Sequence, residues 1–143
     1  MSTETESFTQ FLHAREAASL DHVRGQPKMF LALAARQGKA SFFLPGGGRV
    51  RGAVAVKARQ AKDAGAFGEG TESSRFEIFH SGADAEAGYW TGLQHANLQM
   101  KGKFELLSMT LRVTELFRKE AGAWKIVHRH ADMLAKPQKP AGQ

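Results

Sequence analysis

The stretch WKIVHRHAD, Trp124 to Asp132, decides how the C-terminal half of this chain is read. Taken with a period of two, Trp124, Ile126, His128, His130 and Asp132 fall on one side, and Lys125, Val127, Arg129 and Ala131 on the other. In a half-buried strand the bulky apolar residues mark the inward side. Here that side also carries two histidines and a carboxylate. The alternation therefore predicts that both imidazoles point into the interior.

Two turns test this parity. Ala121-Gly122 fits a two-residue hairpin turn, which would set Phe117 opposite Ile126, Glu115 opposite His128 and Val113 opposite His130. Lys101-Gly102 fits a turn before it, setting Trp90 opposite Val113, Gly92 opposite Leu111 and Gln94 opposite Met109. Directly opposed residues share a face. The expected inner set is then Trp90, Gly92, Gln94, Leu107, Met109, Leu111, Val113, Glu115, Phe117, Trp124, Ile126, His128 and His130. The outer set includes Ser108, Thr110, Arg112, Thr114, Arg118, Lys125 and Arg129. A one-residue slip would invert an arm, so the agreement between the two turns carries information.

Upstream the pattern changes. Ser7 is expected to cap a helix whose apolar positions Phe8, Phe11, Leu12, Ala18 and Leu20 recur at helical spacing. MFLALAARQ reads as a second helix ended by Gly38, Ala40–Pro45 as a short strand, and AVAVKARQAKDA as a third helix. Gly65 to Gly70 is a loop, and from Ser73 onward the chain reads as four long strands. Helices followed by a long antiparallel meander give an α+β class. A curved sheet closed on its concave side by helices would enclose a pocket. Residues 1–135 are expected to form a single domain and 136–143, rich in Pro and Lys, a disordered tail.

Composition narrows the function. The chain has 143 residues, a formal charge of +6 and no cysteine, which excludes disulfides, thiolate metal sites and a cysteine nucleophile. From Lys101 onward nine Lys or Arg face four Asp or Glu, but they alternate with apolar residues and carry no nucleic-acid-binding signature. Nucleic acid is not expected as a partner. MSTETESFTQF lacks the pattern of a signal peptide, and MFLALAA is too short to span a bilayer, so no membrane partner and a cytoplasmic location are expected.

The sequence resembles the SnoaL-like branch of the nuclear transport factor 2-like superfamily, which also holds ketosteroid isomerases and the association domain of calcium/calmodulin-dependent kinase. The resemblance runs from about Phe8 to Asp132. It rests on FFLPGGGRVRGAVAV, AGYWTG and RVTELFRKEAGAWKIVHRHAD, the last with the pattern R-x-T-x-x-x-R-x-x-x-G-x-W-x-x-x-H-x-H. It implies a cone of three helices packed into a curved antiparallel sheet, with homodimerisation through the outer sheet face. Ketosteroid isomerases carry an Asp base just before the Pro that ends the first strand. The matching residue here is Leu44, before Pro45, so the steroid isomerase reading is rejected.

The chemistry-bearing candidates are Glu115, His128 and His130. Glu115 opposite His128 could form an acid–base dyad, with His130 or Gln94 donating to a carbonyl or oxyanion. It could equally be a satisfied buried pair that orders the mouth of the cone. His128 and His130, about 6.6 Å apart at strand spacing, could with Glu115 form a two-His-one-carboxylate set, although neither metal nor cofactor is expected. PGGGRVRG lacks the Lys-Ser/Thr of a phosphate loop and reads as a strand-to-helix turn with Gly52 at the cap. Trp90, Gln94, Met109, Val113, Phe117, Trp124, Ile126 and Asp132 would line a pocket for a small, largely apolar molecule. Isomerisation, cyclisation or hydration there, or binding without catalysis, are the readings left open. His13, on the first helix, is left between the pocket mouth and the helix surface, where a lone helical histidine more often sits, and His22, His80 and His95 are assigned to loops or the outer face.

Overall fold

The structure, a computed structural model, describes residues 3–134, and the expected tail lies outside them. Its elements are α1 (Thr3–His22), α2 (Lys28–Leu33), β1 (Ser41–Phe43), β2 (Arg49–Arg51), α3 (Ala53–Ala64), β3 (Ser73–Ala83), β4 (Ala87–Gln99), β5 (Leu106–Glu120) and β6 (Ala123–Met133). The six strands form one curved, unclosed sheet in the order β2-β1-β6-β5-β4-β3. Only β1 and β6 run parallel; every other neighbouring pair is antiparallel. The fold is the α+β cone expected from the sequence. Among the described residues no helix is long and apolar enough to cross a membrane.

Helix α1 begins upstream of Ser7, which lies inside it rather than at its cap. Its stripe of Phe8, Phe11, Leu12 and Ala18 is buried against the sheet. Phe8 and Phe11 meet Phe117 edge-on at 5.6 and 4.9 Å between ring centres, and Phe8 meets Trp124 at 5.0 Å. Each such side chain withdrawn from water is worth about 1.5–3 kcal/mol. The second helix is shorter than expected, ending at Leu33 instead of near Gly38. The backbone there is captured by β6: Ala34 bridges Ile126, and the Ala35 amide donates to the Ile126 carbonyl at 3.1 Å.

The turns explain the register. Ala121 and Gly122 adopt φ of 51° and 81°, the two left-handed residues of a type I′ hairpin, and Glu120 pairs with Ala123 as the sequence implied. The connection between β4 and β5 is longer than Lys101-Gly102, because pairing resumes only at Gln99 with Leu106. Trp90 therefore lies opposite Glu115, Gly92 opposite Val113 and Gln94 opposite Leu111. That is a slip of two residues, which preserves faces.

The decisive departure is in β6. Phe117 pairs with Ile126 as expected, but Leu116 pairs with His128, leaving Val127 as an extra residue in a β-bulge. A bulge inverts the facing of every residue after it. Glu115 thus lies opposite Arg129, Thr114 opposite His130 and Arg112 opposite Asp132. Arg129 turns inward, while His128, His130 and Asp132 turn outward, contrary to the alternation in WKIVHRHAD.

Candidate functional site

Glu115 is fully buried on the concave face. Arg15, from α1, clamps it with both arms: Nε donates to Oε1 at 3.0 Å and Nη2 to Oε2 at 2.7 Å. Arg129 Nη1 donates to Oε2 at 2.6 Å, and Trp90 Nε1 to Oε1 at 2.8 Å. Burial alone would raise the pKa of this carboxyl. The two guanidinium charges and the hydrogen bonds from Arg15 and Trp90 outweigh it and hold the pKa below the ordinary carboxylate value.

The network extends along the sheet. Arg129 Nη2 donates to Gln94 Oε1 at 2.6 Å, Gln94 Nε2 donates to Ser74 Oγ at 2.9 Å, and Ser74 and Ser19 share a hydroxyl contact at 3.0 Å. The Arg15 guanidinium also sits over the Phe30 ring at 4.8 Å and near Phe76 at 5.5 Å. Phe76 stacks on Trp90 at 4.4 Å.

Beside this network lies a cavity of about 210 Å³. Its polar lining comes from Arg15, Ser19, His22, Gln60, Asp63, Gln94 and Arg129, and its apolar lining from Val23, Phe30, Leu44, Pro45, Phe67, Ala96, Leu98, Met109 and Leu111. Asp63 is held on α3 by Arg59 at 3.0 Å. His22 is buried at the end of α1 between Phe30 and Phe67, with ring centres at 5.2 and 6.1 Å. Burial, then the charges of Arg15 and Arg129, lower its pKa from 6.5 to about 4, so it is neutral near pH 7. Its Nδ1 and Arg15 Nη1 are buried without a hydrogen-bond partner among the described residues.

Of the residues expected in the pocket, Gln94 and Met109 line the cavity. Trp90, Val113, Phe117, Trp124 and Ile126 face inward but are packed into the core. Asp132 is on the outer face, where Arg112 grips it bidentately at 2.6 and 2.9 Å. His128 and His130 are also outside, flanking the exposed Phe43 ring at 4.9 and 5.3 Å, and Ser41 Oγ contacts His128 Nδ1 at 2.8 Å. The Glu115–His128 dyad is therefore not formed, and the two histidines and Glu115 lie on opposite faces of the sheet. His13 is exposed, and His22 belongs to the cavity rather than to a loop or outer face. His95 pairs with Glu77 at 2.8 Å on the outer face. PGGGRVRG, expected as a plain strand-to-helix turn, instead holds the β1–β2 turn, where the Leu44 amide donates to the Gly48 carbonyl at 2.8 Å, and strand β2 itself; Gly52 caps α3 as expected.

Arg15, Arg129 and His22 were the residues missed. Arg15 follows Phe8, Phe11 and Leu12 on the buried stripe of α1, and a charge within such a stripe demands a buried partner. Glu115 is the matching signal on the sheet. In the expected register Glu115 already had His128 opposite it, so nothing in the sequence pointed to Arg129 as its partner.

The SnoaL-like domain family profile matches residues 8–136. The chain belongs to that SnoaL-like family. No curated protein sequence matches it. Solved structures share the fold at low identity. A nuclear transport factor 2-like superfamily protein from Salmonella enterica is 16% identical over 97% of this chain and 99% of that one, with a TM-score of 0.72. A ketosteroid isomerase-like protein from Erwinia carotovora atroseptica is 14% identical over 95% and 100%, also at 0.72. An NTF2-like protein from Cytophaga hutchinsonii is 12% identical over 94% and 100%, at 0.67. In this SnoaL-like chain Leu44 and Pro45 line the cavity.

Proposed function

We propose that this SnoaL-like protein binds a small, largely apolar molecule in the cavity under α1, and that Glu115 holds the cavity wall together rather than moving protons. The observation that carries the reading is the cavity itself, with mostly apolar walls and a charged wall at Arg15, Gln94 and Arg129. At about 210 Å³ it is smaller than the roughly 300–1,000 Å³ of drug-sized ligand sites, which favours a small occupant. Glu115 argues against acid/base work: four hydrogen bonds occupy its oxygens and its lowered pKa keeps it ionised. Titration with toluene, followed by NMR on the methyl groups of Leu98 and Leu111, tests the reading. Saturable shifts that vanish in Met109→Trp are expected; shifts that persist in that variant would refute it.

Chemistry of the isomerase, cyclase or hydratase type would need a proton-moving group on the cavity wall. His22, neutral and with Nδ1 unpaired, is the side chain that favours this second reading. An activity abolished in folded His22→Asn would support it, and one left intact would remove it. Dimerisation through the outer sheet face is part of the same proposal, supported by the exposed apolar residues Phe43, Phe79 and Leu116.

A further inference from the structure

The charged wall of the cavity is unbalanced. Two guanidinium groups, Arg15 and Arg129, share one carboxylate, Glu115. Asp63, the other acid lining the cavity, is already held by Arg59. With His22 neutral, the cluster keeps one uncompensated positive charge. Arg15 is only 2% exposed, and its Nη1 makes no hydrogen bond among the described residues. A guanidinium nitrogen can only donate, so what that atom lacks is an acceptor. His22, seven residues on along the same helix face, also has an unpaired ring nitrogen, which can donate in the right tautomer.

We propose that the cavity selects a small organic monocarboxylate, with its carboxylate taken up by Arg15 and His22 and its apolar body lying against Phe30, Leu98 and Met109. This rests on the reading of the cavity as a ligand site and adds the chemical class of the ligand. Three observations combine. The spare donors call for an acceptor, the excess charge calls for an anion over a neutral carbonyl, and the apolar remainder calls for a hydrocarbon body over an inorganic ion. A carboxylate would replace the missing partner of a buried donor, where hydrogen bonds to charged groups are worth most.

The test is calorimetric titration of the full chain with benzoate, benzamide, toluene and inorganic phosphate. Benzoate is expected to bind roughly tenfold or more tighter than its isostere benzamide, matching one charged hydrogen bond, and phosphate not at all. Arg15→Met leaves Glu115 paired with Arg129 and removes both the spare donor and the excess charge. It should bind benzoate and benzamide alike. If that variant does not fold, His22→Leu probes the same wall and should weaken benzoate more than toluene. Equal affinity of the wild type for benzoate and benzamide, tight phosphate binding, or a benzoate preference that survives both variants overturns the inference. Toluene and benzamide binding without benzoate leaves the ligand-cavity reading standing and removes only the anion. Failure of all the probes, toluene included, removes both.

Discussion

A carboxylate with no exposure to water survives in a fold only if its charge is answered, and Glu115 is answered by two guanidinium groups and an indole. Removing it strands Arg15 and Arg129, so Glu115→Gln is expected to lower stability by about 3–5 kcal/mol, measured by urea denaturation. Both arginines also bear on His22. A cation at the C-terminal end of a helix is ordinarily favoured, but burial and these two charges win and push its pKa to about 4. The sign follows from proton counting. Between pH 6.5 and 4 the unfolded chain takes up a proton that the folded chain refuses. Stability contributed by His22 is thus complete above about pH 6.5 and is lost as pH falls through about 4, by about 3 kcal/mol in all. Denaturation curves from pH 7 to 4 should show this slope, and His22→Asn should flatten it. Glu115, whose pKa is also lowered, adds a further loss below the ordinary carboxylate range.

At the scale of elements, the hairpins and bulges govern which residues meet. Gly92 lies opposite Ile78 beside the irregularity in β3, and a Cβ there would collide with the backbone carbonyl of Glu77. Gly92→Ala should therefore cost about 1–3 kcal/mol by overpacking, read as a lower urea midpoint. The bulge at Val127 is the more telling device. Deleting Val127 would close the bulge while keeping Leu116 opposite His128 and Glu115 opposite Arg129, so Arg129 should stay inward on Glu115. The expected outcome is a variant that still unfolds cooperatively by circular dichroism. Loss of cooperative unfolding in it would show that the extra residue itself, and not only the pairing beyond it, holds the Glu115 cluster together.

For the whole molecule, the sheet presents one face to the helices, and among the described residues nothing packs over the other. Phe79 is 62% exposed, and Phe43 and Leu116 are each more than 40% exposed on that outer side. A face of this kind fits a second copy of the chain. Sedimentation velocity should report a dimer, and Phe79→Glu with Leu116→Glu should shift it to monomer with an unchanged circular dichroism spectrum. A monomeric wild type at micromolar concentration would remove the dimer from the proposal.

The sequence by itself determined most of the elements, though not strand β2 or the end of α2, and most of their facing. Helical spacing placed α1, the Ala121-Gly122 pair fixed the last hairpin, and strict alternation sent Trp90, Gln94, Met109, Glu115 and Phe117 inward. These signals are local, each set by neighbours within a few residues or by a turn's own geometry. What only the tertiary structure decided was the inner face of β6 beyond Ile126, and with it the chemistry of the site. Nothing local marks Val127 as an extra residue. The bulge is favoured because it brings Arg129 to a buried carboxylate that Arg15, a hundred residues earlier in the chain, already grips. The energy of that cluster is shared among α1, β4, β5 and β6, and no single element's pattern contains it.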